Sequence, residues 1–160
     1  MRILAIDPGP IESGFVDIIS EGGEVKVLRG RKVHNEEVIE YISSGYGVEV
    51  VACEMIASYG MAVGAEVFET CVWIGRFMQH THHLMRKFDR ITRKQVCLNL
   101  CGSPKAKDAN IRAALIDRLG VQGTKKNPGP TFGISGDMWS ALGVGITFLD
   151  AKELSDKLCR

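Results

Sequence analysis

The chain has no apolar run approaching the about 18 residues that a bilayer-spanning helix requires, and no charged-then-apolar leader follows Met1, so neither a membrane span nor a signal peptide is expected. Cysteine is sparse and odd in number. Cys53, Cys71, Cys97, Cys101 and Cys159 fall at irregular intervals, which argues against a secreted disulfide framework and for reduced thiols in a cytoplasm. There is no internal repeat, no linker and no GxxxxGK[ST] signature, which excludes a P-loop and gives no sign of a second domain. A large excess of one charge is missing too, the formal net charge being +1. With 45% of its 160 residues hydrophobic and 24% charged, the chain is expected to form one soluble domain, residues 1–160, with a core that needs neither disulfides nor a structural metal.

The near-neutral total conceals an asymmetry. Residues 86–126 carry eleven Lys or Arg against three Asp or Glu, while the rest of the chain carries nine against sixteen. Such a division suggests a basic surface for a polyanion beside an acidic region able to hold cations, although two ordinary solvated faces would give the same count.

Hydrophobic patterning predicts an α/β domain. Arg2–Asp7, Gly14–Ile19 and Glu24–Arg29 read as three short strands separated by the turn chemistry of PGPIES and EGG, most simply an antiparallel meander. Asn35 is expected to cap a helix to about Ser44, with Val38, Ile39 and Ile42 inward and Gly45 and Gly47 beyond its end. Val48–Glu54 reads as a central strand covered on both faces. A helix is predicted from about Val63 to His83, with Val67, Cys71, Ile74 and Met78 as its inner stripe. Then follow a strand at Arg86–Ile91, helices at Arg93–Cys101 and Asp108–Leu119, a loop at 123–136, and a last helix opened by Asp137 with Met138, Ala141, Leu142, Gly145, Phe148 and Leu149 as its stripe.

Two acids close apolar strands. Asp7 shares a face with Ile3 and Ala5, and Glu54 with Val48, Val50 and Ala52, because side chains alternate with period two. If the two strands are neighbours the carboxylates lie close together, an arrangement that favours a shared cation or proton. Hard oxygen ligands suit Mg²⁺ or Mn²⁺ better than zinc, and Cys53 points to the opposite face. Asp137 is a candidate third ligand. Taken singly, each acid also reads as an ordinary turn, strand-end or cap residue. Taken together they form one consistent metal-site arrangement.

The stretch ILAIDPGPIESGFV (3–16) is similar to a strand–Asp–Pro–Gly–strand opening motif, VVACEMIASYG (50–60) to a strand–Glu motif, and GAEVFETCVWIGRF to the helix after it. RKQV (93–96) and SPKAKDANIRAAL (103–115) resemble lysine-bearing segments, and DMWSALGVGITF (137–148) an Asp-led closing helix. In this order and at these intervals the motifs resemble the RuvC-like Holliday-junction resolvases of the ribonuclease H-like superfamily. The resemblance implies a mixed five-stranded sheet with helices on both faces, a homodimer, and Asp7, Glu54 and Asp137 as metal-binding catalytic acids for Mg²⁺ or Mn²⁺. It further implies Lys107 near the scissile phosphate. The activity it implies is a crossover junction endodeoxyribonuclease, cutting four-way and related branched DNA by paired nicks with two metal ions. Arg86, Lys87, Arg90, Arg93, Lys94, Lys105, Lys125 and Lys126 are candidates for DNA backbone contacts.

Three departures stand out. The family usually carries an acid or a His three residues before its closing Asp, where this chain has Ile134; Glu66, Glu69, Glu36 or Glu37 could supply the missing ligand. A family lysine falls on Cys97, so that Arg93 or Lys94 could take its role. An aromatic used near the junction centre is replaced by Ala57, with Tyr59 the nearest candidate. The short chain and its departures look more like phage-encoded members. Competing readings are a catalytically silent junction-binding relative, a zinc-stabilised module using Cys97, Cys101 and His80, His82 or His83, and an actin-like ATPase, which would need two such domains.

Overall fold

The computed structural model describes residues 1–160 except Gly45, Tyr46, Tyr59, Met61 and Arg160. Five strands, β1 (Arg2–Asp7), β2 (Glu12–Glu21), β3 (Glu24–His34), β4 (Val50–Met55) and β5 (Lys87–Thr92), form one sheet in the order β3-β2-β1-β4-β5. β1, β2 and β3 run antiparallel, as the short turns between them require. β4 lies parallel to β1 and β5 parallel to β4, each reached through a helix. The sheet is therefore mixed.

Among the described residues five helices cover it: α1 (Asn35–Ser43), α2 (Ala65–His83), α3 (Arg93–Cys101), α4 (Asp108–Leu119) and α5 (Met138–Leu158). The two faces hold separate cores. Ile3, Val16, Ile18, Val50, Ala52 and Ile91 meet α3, α4 and α5, whereas Leu4, Ile6, Phe15, Val33, Val51 and Cys53 meet α1 and α2. α5 lies directly on β1 and β2, close enough that a Cβ at Gly145 would stand 2.8 Å from Ile18 and 3.0 Å from Ala5.

Several boundaries and one stripe differ from the sequence reading. β2 and β3 extend to Glu21 and His34, because cross-strand pairing carries the hairpin past its apolar stretch into residues with little β propensity, through a bulge at Asp17/Ile18. The inner stripe of α2 is Thr70, Ile74, Phe77 and Thr81; of the four residues expected inward only Ile74 is buried. Both registers keep helical spacing, and packing against the sheet chose the one containing Phe77. In α5, residues 138–149 are buried on nearly every side except at Ser140, since the helix is enclosed between the sheet and α3 and α4. Asn35 does not cap α1. His34 holds the cap position and the Asn35 side chain is buried elsewhere.

Candidate active site

β1 ends where Pro8 follows Asp7, and a bracket of buried polar groups holds the turn. Ser13 Oγ donates to Asn35 Oδ1 at 2.5 Å, Asn35 Nδ2 donates to the Gly9 carbonyl at 3.0 Å, and the Gly9 N–H donates to Ser13 Oγ at 3.3 Å. Gly9 is obligatory, because a Cβ there would lie 2.3 Å from the Glu12 carbonyl oxygen. Asp7 is thus fixed at the end of β1 by residues whose own side chains never reach the site.

Parallel pairing of Ile6 with Cys53 brings Asp7 beside Glu54 on the α5 face. Across the other neighbour, Asp7 pairs with Gly14 and Gly14 with Lys32, so three strands contribute to one row. Asp137, the residue before α5, sits on that row. A Cβ on Gly14 would be 2.9 Å from Asp137 Cβ, and only the absence of a side chain lets the start of α5 approach.

The electrostatics record the crowding. Burial, with Glu54 and then Asp137 adding repulsion, pushes Asp7 up to about 7, although Arg93 acts in the opposite sense. Burial also raises Glu54, opposed by Arg93 and assisted by Asp108. The Oε2 atom of Glu54 is buried without a hydrogen-bond partner, its nearest cation being Arg93 Nη1 at 3.9 Å. An orphaned carboxylate oxygen beside a second buried carboxylate is a donor set that fits a hard divalent cation. Asp137 is engaged differently, pairing with Lys32 Nζ at 2.8 Å. Among the described residues, no three His, Cys, Asp or Glu side chains converge closely enough to enclose an ion as they stand. Asp7 and Glu54 are the carboxylates that could hold a cation, and Asp137 is adjacent but turned to a lysine.

The remaining expected residues scatter more widely. Lys107 is exposed in the cap position before α4, where its N–H donates to Asn110 Oδ1, and the cations beside the acids are Arg93, near Glu54, and Lys32, on Asp137. Ile134 is buried against Gly30, so that position serves packing. α1 and α2, with Glu36, Glu37, Glu66 and Glu69, belong to the opposite layer, where Glu36 pairs with Arg76. Arg86 donates to the Ile42 carbonyl and Lys87 pairs with Asp89, whereas Arg90, Lys94, Lys105, Lys125 and Lys126 are exposed. Tyr59 lies outside the described residues. The zinc reading fails on topology, for Cys97 is buried under α5 while His80, His82 and His83 end α2 on the other side of the sheet. Lys32 and Asp108 escaped the sequence reading; the one signal for Lys32 was its place on the same strand face as Gly30, which α5 also approaches closely.

No family model and no curated protein matches the chain. Among solved structures, RuvC of Thermus thermophilus superposes with a TM-score of 0.74 at 18% identity, covering 97% of each chain. T. thermophilus RuvC in complex with a Holliday junction substrate gives 0.69 at 18% identity, covering 92% of each. The yeast mitochondrial Holliday junction resolvase gives 0.63 at 11% identity, covering 91% of this chain and 76% of that one. At these identities the likeness is one of architecture: the chain has the α/β, ribonuclease H-like fold of the RuvC-type Holliday junction resolvases.

Proposed function

We propose that the protein is a metal-dependent, structure-selective endonuclease that resolves four-way DNA junctions and related branched DNA. The observation that carries this reading is the meeting of Asp7 and Glu54 on one sheet face, with Asp137 laid over Gly14 beside them. The fold is that of resolvases, one of them solved with a junction substrate over nearly the same length of chain.

Asp7 and Glu54 would hold Mg²⁺ or Mn²⁺, and Asp137 would join them on leaving Lys32. When bound, the cation would lower the cost of placing a water and a phosphodiester together among carboxylates and of the negative charge that builds on the phosphate oxygens. The residues supply the rest. The buried ends of β1 and β4 exclude bulk water, and Arg93 offers guanidinium donors to a phosphate oxygen. Attack forms a bond from water oxygen to phosphorus as the bond to the 3′ oxygen breaks; a proton released by the water is balanced by one taken up at the 3′ oxygen, leaving a 5′ phosphate and a 3′ hydroxyl. Lys107, exposed one residue before α4, is the further cation proposed near the phosphate, while Arg90, Lys94, Lys105, Lys125 and Lys126 face solvent where DNA backbone would pass.

A second copy of the chain fits the outer face of α2, where Phe68 and Val72 are 61% and 57% exposed one helical turn apart. A two-fold dimer would present two sites to a junction that has two-fold symmetry, which makes paired nicks a geometric consequence.

The test is a synthetic four-way junction incubated with Mg²⁺ or Mn²⁺ beside flaps, forks and linear duplex. Symmetric paired nicks are expected in the junction, and Asp7→Asn should bind it without cutting. Junction binding with no cleavage in any divalent ion would assign a silent binding relative, a reading favoured by the Lys32 pairing of Asp137. Absence of junction binding would refute both.

A further inference from the structure

Arg93 opens α3 immediately after β5 and turns into the acid cluster rather than out to solvent, its side chain being 29% exposed. Its guanidinium stands 3.9 Å from Glu54 Oε2, donates to Ser140 Oγ at 3.4 Å and pairs with Asp108. Arg93, Asp108, Asp137 and Ser140 border a groove of about 600 Å³ between α4 and the start of α5. Ser140, one helical turn beyond Asp137, brings no charge to this groove. Around the site, Asp7, Glu54, Asp108 and Asp137 face Arg93 and Lys32, and Arg112 lines the same groove with its guanidinium over the Trp139 ring, so the carboxylates outnumber the resident cations.

We propose that Arg93 stands in for a second metal ion, so that each protomer takes one divalent cation at Asp7 and Glu54 while Arg93 supplies the other positive charge to the scissile phosphate. This rests on the nuclease reading above. A guanidinium suits the task because it is charged at every working pH and presents parallel N–H donors that match two phosphate oxygens. A second divalent ion placed against Glu54 Oε2 would have to share its surroundings with that guanidinium.

Two measurements on the full-length protein test this. In a Mn²⁺ titration read by loss of the free-ion paramagnetic resonance signal, wild type should bind one ion per protomer, and Arg93→Gln should take up a second. In cleavage assays below saturation, the logarithmic slope of rate against Mg²⁺ should be about one for wild type. Arg93→Gln should lower the cleavage rate about 10²- to 10³-fold, with junction affinity in Ca²⁺ changed only a few-fold, and Arg93→Lys should recover part of the rate. Two ions per wild-type protomer, a slope near two, or an Arg93→Gln variant with unchanged ion count and rate overturns the proposal and leaves the nuclease reading standing. Wild type that binds no Mn²⁺, or whose single ion survives Asp7→Asn, overturns both.

Discussion

Removing the charge of Asp7 should stabilise the ion-free protein at alkaline pH while abolishing its response to metal. Desolvation at the end of β1, together with Glu54 and Asp137, pushes this carboxyl from 3.8 up to about 7. The unfolded chain releases the same proton near the ordinary value, so between the two values the native state holds more protons than the unfolded one. Stability must then fall as pH rises: the contribution is whole below about pH 4 and is lost through about pH 7. At about 1.4 kcal/mol per pH unit, ionising Asp7 within the fold costs roughly 4 kcal/mol, of which about half accrues between pH 5.5 and pH 8. For a chain of this length 1 kcal/mol moves Tm by about 2–4 °C. In EDTA, wild type should therefore melt about 4–8 °C lower near pH 8 than near pH 5.5 through this group. Asp7→Asn keeps the shape and cannot ionise, so it should lack that share of the pH dependence and be the more stable of the two at pH 8. Mg²⁺ should narrow that gap, because an ion bound only by the native wild type stabilises it by mass action, about 2.7 kcal/mol at a hundred times Kd and about 4.1 kcal/mol at a thousand times Kd, where the two proteins should melt together. Circular dichroism melts of both proteins at the two pH values, with and without Mg²⁺, read all of this. Equal pH dependence in the two proteins, or a mutant that is the less stable at pH 8 without metal, would refute the reasoning.

Three further outcomes follow from contacts elsewhere. Gly14→Ala places a Cβ 2.9 Å from Asp137 Cβ and 3.0 Å from its carbonyl carbon, so it should displace the start of α5, cost about 1–3 kcal/mol in urea unfolding and cut junction cleavage about ten-fold or more; unchanged cleavage would show that Asp137 does not act from that position. Asp17 is fully buried and held by Arg2 at 2.6 Å and the Tyr41 hydroxyl at 2.5 Å, so Arg2→Met should destabilise by about 3–5 kcal/mol, whereas a loss under about 1 kcal/mol would mean that the carboxylate finds other compensation. Joint Phe68→Glu and Val72→Glu substitution should convert a dimer to monomers in sedimentation and turn paired cuts into single ones; a monomeric wild type would rule the α2 interface out.

Element order was legible because each segment announces itself locally. Apolar runs of strand length end at PGPIES and EGG, and the later helices stop at Gly102 and Gly120. The face carried by Asp7 and Glu54 was legible for the same reason, since period-two alternation needs no knowledge of neighbours. The rotation of α2 was not, because two stripes of equal spacing compete and only the sheet selects between them. Nor did pattern alone separate Lys107, which caps a helix in solvent, from Arg93, which turns inward.

By itself the sequence determined the α/β composition, the strand ends at which the two acids stand and the face on which they point, all of which are set by neighbours along the chain. Tertiary structure decided that β1 and β4 are adjacent, that Asp137 rests on Gly14 within reach of Lys32, and that Arg93 fills the space beside Glu54. These are contacts between residues tens of positions apart. They depend on which surfaces pack together, and no local periodicity encodes that.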